Sequence, residues 1–319
     1  MINQYFSFQS IALGIIKLFV VLVIGYTLSR ANVLKKDAVR ALSDVLVWAC
    51  LPALIFAKTT YSFSPAEYPL WWFLPVCAIA VSFLGLAAGY FFQKPVRKFD
   101  SRRDFMISCA FQNSGYLPIA LVSFICSQDI CDKVLVYIFL FLIGFNMIIW
   151  SFVPAFMSRQ PNGRFNPRTL FYPPFIATVL AVLSVFVFGK GWVPLIIYEP
   201  LNSLGSTTYP LALIVLGAYL SEHKGVIPDS WSALASCLFA KLVFLPAAVL
   251  IILRYIPVDP SYKFIILLES AMPTALSLIA IGNTVPIDNK FLSGIIFYSH
   301  LLAIITIPVW LAAFKHFIF

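Results

Sequence analysis

The sequence predicts an all-α integral membrane protein of ten transmembrane helices, arranged as two inverted five-helix repeats. Three observations predict it. The composition is 61% hydrophobic and only 11% charged, with a mean hydropathy of +0.93, where a soluble domain carries about 25% charged residues. Apolar runs long enough to cross a bilayer recur along all 319 residues. The prolines inside those runs recur in the same order in the two halves. No stretch is polar enough for a separate soluble domain, so one membrane domain accounts for the chain.

The ten runs are residues 10–29, 39–58, 70–92, 104–126, 134–156, 170–189, 201–221, 230–253, 262–284 and 292–314. The first lacks the basic flank and small-residue cleavage site of a signal peptide and is expected to be mature structure. The seventh is the least apolar, because Asn202, Ser203, Ser206, Thr207 and Thr208 crowd its first half. Hydroxyls in a span can bond their own backbone or a neighbouring helix, so it is retained.

Orientation follows from Lys and Arg between the spans. The odd-numbered connections carry 14, among them Arg30, Lys35, Lys36, Arg40, Lys94, Arg97, Lys98, Arg102 and Arg103; the other connections and the ends carry six, Lys58 included. Both termini are therefore expected outside the cytoplasm of a plasma (inner) membrane. The net charge of +9 is explained by cytoplasmic loops against anionic lipid headgroups, and no nucleic-acid partner is expected.

Leu51-Pro52-Ala-Leu-Ile resembles Tyr209-Pro210-Leu-Ala-Leu-Ile, and Phe73-Leu74-Pro75 recurs as Phe244-Leu245-Pro246. Pro118 matches Pro273, and Pro154 matches Pro308. The offsets are 158, 171, 155 and 154 residues, close to half the chain. Five spans is an odd number, so the second copy enters from the opposite face. The repeats are 1–157 and 169–319, joined by a cytoplasmic connector at 158–168.

Two spans are broken at mid-depth, at Asn113-Ser-Gly-Tyr-Leu-Pro118 and at Glu269-Ser-Ala-Met-Pro273-Thr274. Backbone freed by a proline survives at that depth only inside protein or along a wet cavity, so paired breaks point to a solute site. Each second half-helix is expected to begin near its proline, Pro118 or Pro273, and to offer free N–H groups and a positive dipole end. Such parts suit a small carboxylate. Asn113, Ser114 and Thr274 add donors and acceptors, Gly115 permits close approach, and Tyr116 brings a ring edge and a hydroxyl. Ala271 and Met272 flank the second break, Met272 more as packing. Thr207 and Thr208 are candidates for contact from the opposite wall, and Asn146 and His300 for contact from the fifth and tenth spans.

Lys241 sits near the centre of the eighth span, where a charge costs about 2.5 to 3.5 kcal/mol on insertion scales. Its expected partner is Glu269, the one acidic residue near the middle of any span. The pair reads either as a proton or sodium site, with a sodium ion near Glu269, or as a structural ion pair joining two helices.

These stretches, with Gly205-Ser-Thr-Thr-Tyr-Pro210-Leu-Ala-Leu-Ile-Val-Leu-Gly217-Ala, resemble the auxin efflux carrier family, the PIN-like carriers that include bacterial malate and malonate permeases. The resemblance covers essentially the whole chain. It implies the sodium/bile-acid symporter-like, NhaA-like fold, in which helices 4 and 9 cross at their breaks. It also implies a scaffold of helices 1, 2, 6 and 7, a moving transport domain of helices 3–5 and 8–10, and a homodimer formed through the scaffold. Leu117 stands where bacterial relatives often have Gly. The 158–168 connector is too short for the hydrophilic loop of the plant exporters.

Other classes find little support. There is no His-Glu-x-x-His, no Gly-rich phosphate loop and no Cys-x-x-Cys, and the chain has three His. Catalysis is not expected, nor a cofactor beyond a coupling H⁺ or Na⁺. Cys126 and Cys131 flank a short loop where a disulfide is geometrically allowed but not expected. The sequence therefore points to a secondary active carrier of small organic anions working by elevator-type alternating access, its alternative being a solute sensor without net transport.

Overall fold

A computed structural model describes residues 8–96, 99–126, 128–157, 172–222, 230–282 and 289–318. The 158–168 connector, with Arg159, Arg164 and Arg168, lies outside the described residues, as do Arg97, Lys98 and Lys224.

The described residues form helices and short connections, with a single isolated β-bridge between residues 112 and 274. The helices are α1 (Phe8–Arg30), α2 (Lys36–Val45), α3 (Leu51–Ser62), α4 (Phe73–Phe92), α5 (Phe99–Ala110), α6 (Tyr116–Ile125), α7 (Gln128–Met157) and α8 (Pro173–Phe188). They continue as α9 (Leu195–Ser206), α10 (Thr208–Glu222), α11 (Trp231–Phe239), α12 (Leu245–Tyr255), α13 (Pro260–Ser270), α14 (Ser277–Gly282) and α15 (Asn289–Ile318).

Among the described residues, seven helical stretches are long and apolar enough to cross a membrane: Ile11–Arg30, Lys36–Ser62, Phe73–Phe92, Ile130–Met157, Leu195–Glu222, Trp231–Tyr255 and Lys290–Ile318. Three of the ten expected spans are not continuous long helices. The span at 170–189 is the 16-residue α8, ended by Gly189 at φ +87°, a conformation that glycine adopts without strain. The spans at 104–126 and 262–284 are each split, into α5 and α6 and into α13 and α14. The polar seventh span starts earlier than its sequence suggests, at Leu195, because Pro194 precedes the helix and Pro200 is accommodated inside it.

Proline also explains two wide turns. Leu46–Cys50 and Ala240–Phe244 are π-helical, and each lies just before a Leu-Pro pair, Leu51-Pro52 and Leu245-Pro246. A proline ring clashes with the carbonyl four residues back and donates no hydrogen bond, and widening the turn relieves both problems. The carbonyl four residues before Pro246 belongs to Leu242, and it accepts a 2.7 Å hydrogen bond from the Trp310 indole N–H on α15.

The helices pack in two groups. In one, α1 lies along α10, and α3 lies along α8 and α9. In the other, α4 packs on α5 and α7, while α13 and α15 pack on each other and on α12. Helix α6 reaches α1 and α10, and α3 also meets α7. Glycine sets the α1–α10 distance: a Cβ on Gly25 would overlap the Ile214 carbonyl, and one on Gly217 would lie 2.9 Å from the Tyr26 nitrogen. Without a hydrophobic drive between helices in lipid, such backbone approach is what holds them. Large apolar side chains such as Ile196, Val187 and Phe91 stand exposed on the outside, as a lipid-facing surface requires.

Candidate functional site

The site lies where the two broken segments meet. Helix α5 stops at Ala110, and α13 stops at Ser270. Between them two extended strips run antiparallel: Asn113 donates its N–H to the Pro273 carbonyl at 2.7 Å, and Ala275 donates to the Phe111 carbonyl at 3.0 Å. The breaks satisfy each other's backbone, which is how non-helical chain persists away from water.

Side chains lock the crossing. The Asn113 carbonyl oxygen accepts from the Tyr116 N–H at 3.3 Å, at the start of α6, and its amide nitrogen lies 3.0 Å from His300 Nε2. His300 Nδ1 lies 2.8 Å from the Ile296 carbonyl. A carbonyl can only accept, so Nδ1 carries the proton and Nε2 accepts from Asn113. Thr274 donates its hydroxyl to the Ser108 carbonyl at 3.0 Å and its N–H to the Ser299 hydroxyl oxygen at 3.2 Å. Asn113, Thr274, His300 and Ser299 thus join both breaks to α15.

Other groups at the crossing are buried without a partner among the described residues. Both amide atoms of Gln112, the Ser114 hydroxyl and both carboxyl oxygens of Glu269 belong to this set, and so does Lys241 Nζ. Gln112, Glu269 and Lys241 are each 0% exposed. The Ser114 hydroxyl and the Glu269 carboxyl are close enough to influence each other, yet they form no well-aligned hydrogen bond. The expected direct Lys241–Glu269 ion pair is absent. The two interact electrostatically at longer range, because Lys241 projects from the wide turn before α12 and Glu269 from the last turn of α13. Among the described residues no cluster of three His, Cys, Asp or Glu could hold a metal ion.

The sequence placed the second half-helix near Pro273. It starts at Ser277 instead, because Ala271 and Met272 still bond back to the end of α13 and residues 273–275 are spent on the antiparallel pairing with the first break. Pro118 does fall in the first turn of α6, where its missing N–H is not needed. Gly115 has open space where a Cβ would stand, and Tyr116 beside it is part-exposed. Ala271 and Met272 are fully buried packing. Thr207 is exposed and bonded to the Leu204 carbonyl and Cys50, Thr208 is buried with an unpartnered hydroxyl, and Asn146 is buried on α7. The sequence reading passed over Gln112, Ser108 and Ser299; Gln112 was detectable as the polar residue heading the first break. It also treated Lys58 as a loop cation. Lys58 is buried within α3, and its charge is met by Asp132 on α7 at 2.9 Å. Cys126 and Cys131 are free thiols.

The profile of the family described as Membrane transport protein matches residues 10–169 and 163–311. The chain belongs to this family. An uncharacterized transporter of Methanocaldococcus jannaschii is 24% identical over 301 residues, covering 91% of this chain and 94% of that protein. Protein PIN-LIKES 1 of Arabidopsis thaliana is 20% identical over 369 residues, covering 95% and 78%, and Protein PIN-LIKES 3 is 20% identical, covering 93% and 94%. The protein is thus a PIN-like membrane transporter, and the family is one of carriers, not enzymes. Its crossing is the natural place to look for cargo.

Proposed function

We propose that the protein is a secondary active carrier of small organic anions, mono- or dicarboxylates of auxin-like or malate- or malonate-like chemistry. One observation carries the reading: paired breaks that satisfy each other's backbone while leaving Gln112, Ser114, Glu269 and Lys241 buried and unpartnered beside them. Buried polar groups are normally bonded, and a cluster that is not implies a ligand, proton or water as the missing partner. A carboxylate docks at the crossing next to the N-terminus of α6, where Tyr116, Gly115 and Asn113 stand. Thr208, whose buried hydroxyl has no partner among the described residues, and Thr207 contribute to it from the other group of helices. Glu269 couples the cycle through a proton, sodium coupling being the competing outcome of the same assays.

The ten spans form two inverted repeats. Helices α1–α3 and α8–α10 are the scaffold through which two copies pair, and α4–α7 with α11–α15 move against it as the transport domain. Most helix packing falls within the two groups, which supports this division, while α6, α7 and α15 form the seam against α1, α3, α8 and α10. The membrane is the plasma (inner) membrane, with both termini outside.

Purified protein in proteoliposomes tests the reading. Saturable counterflow of a labelled carboxylate is expected; binding without flux would make the protein a solute sensor instead. A panel of carboxylates screened by thermal stabilisation identifies the probe, because a ligand raises stability only by binding the folded state.

A further inference from the structure

We propose that Lys241 and Glu269 act as one charge-balancing pair, taking up a single proton with each carboxylate charge that docks at the crossing, so that no sodium ion takes part. The proposal rests on the anion-carrier reading above and specifies its coupling.

Both side chains are fully enclosed, and neither has a hydrogen-bond partner among the described residues. An isolated charge in such surroundings costs several kcal/mol. Two opposite charges, or two neutral groups, leave the enclosure at net zero. The resting pair is therefore balanced by itself, as ammonium with carboxylate. A docked carboxylate adds one negative charge close to Glu269. One proton added to the pair gives ammonium, carboxylic acid and bound carboxylate, which again sum to zero. A sodium ion on Glu269 would reach the same zero sum only with four buried ions in place of two, and each ion taken out of water carries its own desolvation cost.

The neighbouring titratable groups are otherwise committed. Cys109 on α5 and Cys237 on α11 act on Lys241, but their sulfurs lie 3.4 Å apart and hold each other. His300 on α15 has both ring nitrogens engaged, and Asp104 on α5 is buried and engaged. On α7, Asp132 is paired with Lys58, while α4 brings only the Cys77 thiol and, in its last turn, Tyr90. Arg254 ends α12, 13 residues beyond Lys241, about 20 Å away by helical rise. Lys290, Lys315 and His316 lie at the ends of α15, and Tyr262 and Lys263 in the first turn of α13.

The test uses the full chain in proteoliposomes with labelled pyruvate and labelled lactate, both monoanions of hydrophilic acids, and reads uptake above that of protein-free liposomes, since an undissociated acid that crosses lipid by itself follows a pH gradient without a carrier. Counterflow without gradients is measured first. A pH gradient of one unit, acid outside and with the membrane potential clamped at zero, is then expected to hold about tenfold more anion inside. A potential set by potassium and valinomycin at equal pH, or a sodium gradient, is expected to leave accumulation unchanged. Accumulation that follows either one overturns the proposal. Cys109→Ala and Cys237→Ala are expected to leave the ratio at one proton per anion.

A second measurement needs no substrate. Lys241→Met and Glu269→Gln should each lower the melting temperature, and the double variant should recover most of the loss. Additive losses overturn the pair. Absence of counterflow with every probe defeats the carrier reading, whereas the double-variant cycle decides the pair by itself.

Discussion

At the scale of single residues, the crossing divides its polar groups into those that build it and those buried without a protein partner among the described residues. Asn113 holds the start of α6 and His300 at once. Asn113→Ala should therefore raise the half-saturation concentration for the carboxylate and also cost about 1 kcal/mol of stability, read by uptake and thermal melting. An unchanged half-saturation concentration would remove Asn113 from the site. Gln112 is the contrasting case, because neither end of its amide has a protein partner. Replacing an unsatisfied buried amide by an apolar group of similar shape relieves about 1–3 kcal/mol. Gln112→Leu should thus raise the melting temperature while depressing uptake, and a stabilised variant with full uptake would make Gln112 mere packing. Glu269→Gln should abolish the dependence of uptake on a pH gradient; if that dependence survives, the coupling role fails. Asn113 and Glu269 stand out in the sequence as polar residues beside prolines. The deficit at Gln112 did not, since it depends on what the fold brings near.

At the scale of helices, proline's missing donor and bulky ring account for the wide turns, and a distant side chain completes one of them. Trp310→Phe leaves the Leu242 carbonyl without its donor, and the expected loss is about 1 kcal/mol or slightly more, measurable by denaturation in detergent. The Lys58–Asp132 pair ties α3 to α7 across the two helix groups, with side chains 5% and 19% exposed. Asp132→Asn leaves a buried ammonium uncompensated and should cost about 3 kcal/mol. Adding Lys58→Met should recover most of that loss; if it does not, the pair is not the source. The sequence announced these helices by their apolar length, yet it put Lys58 in a loop. A lysine near a span's end looks like a loop residue until the helix that supplies its counter-charge is known.

At the scale of the whole molecule, the reading is a carrier whose breaks meet between two groups of helices. The excess of Lys and Arg in the odd-numbered connections predicts both ends outside. A protease site added at either terminus should therefore be cleaved in intact right-side-out vesicles, and protection of both would invert the orientation. Apolar run length and proline position are local properties, so the sequence by itself determined the helical membrane class, the whereabouts of the two breaks and the residues flanking them. Three-dimensional packing decided the rest. Only when residues 110–116 lie beside 271–276 does it emerge that the breaks pair as antiparallel strips, that the second half-helix waits until Ser277, and that Lys241 and Glu269 are enclosed together without touching. The physical reason is that hydrogen-bond satisfaction and charge balance belong to partners on different helices, 187 residues apart for Asn113 and His300 and several helical turns apart even for Lys241 and Glu269, and no local pattern records which distant group will be near.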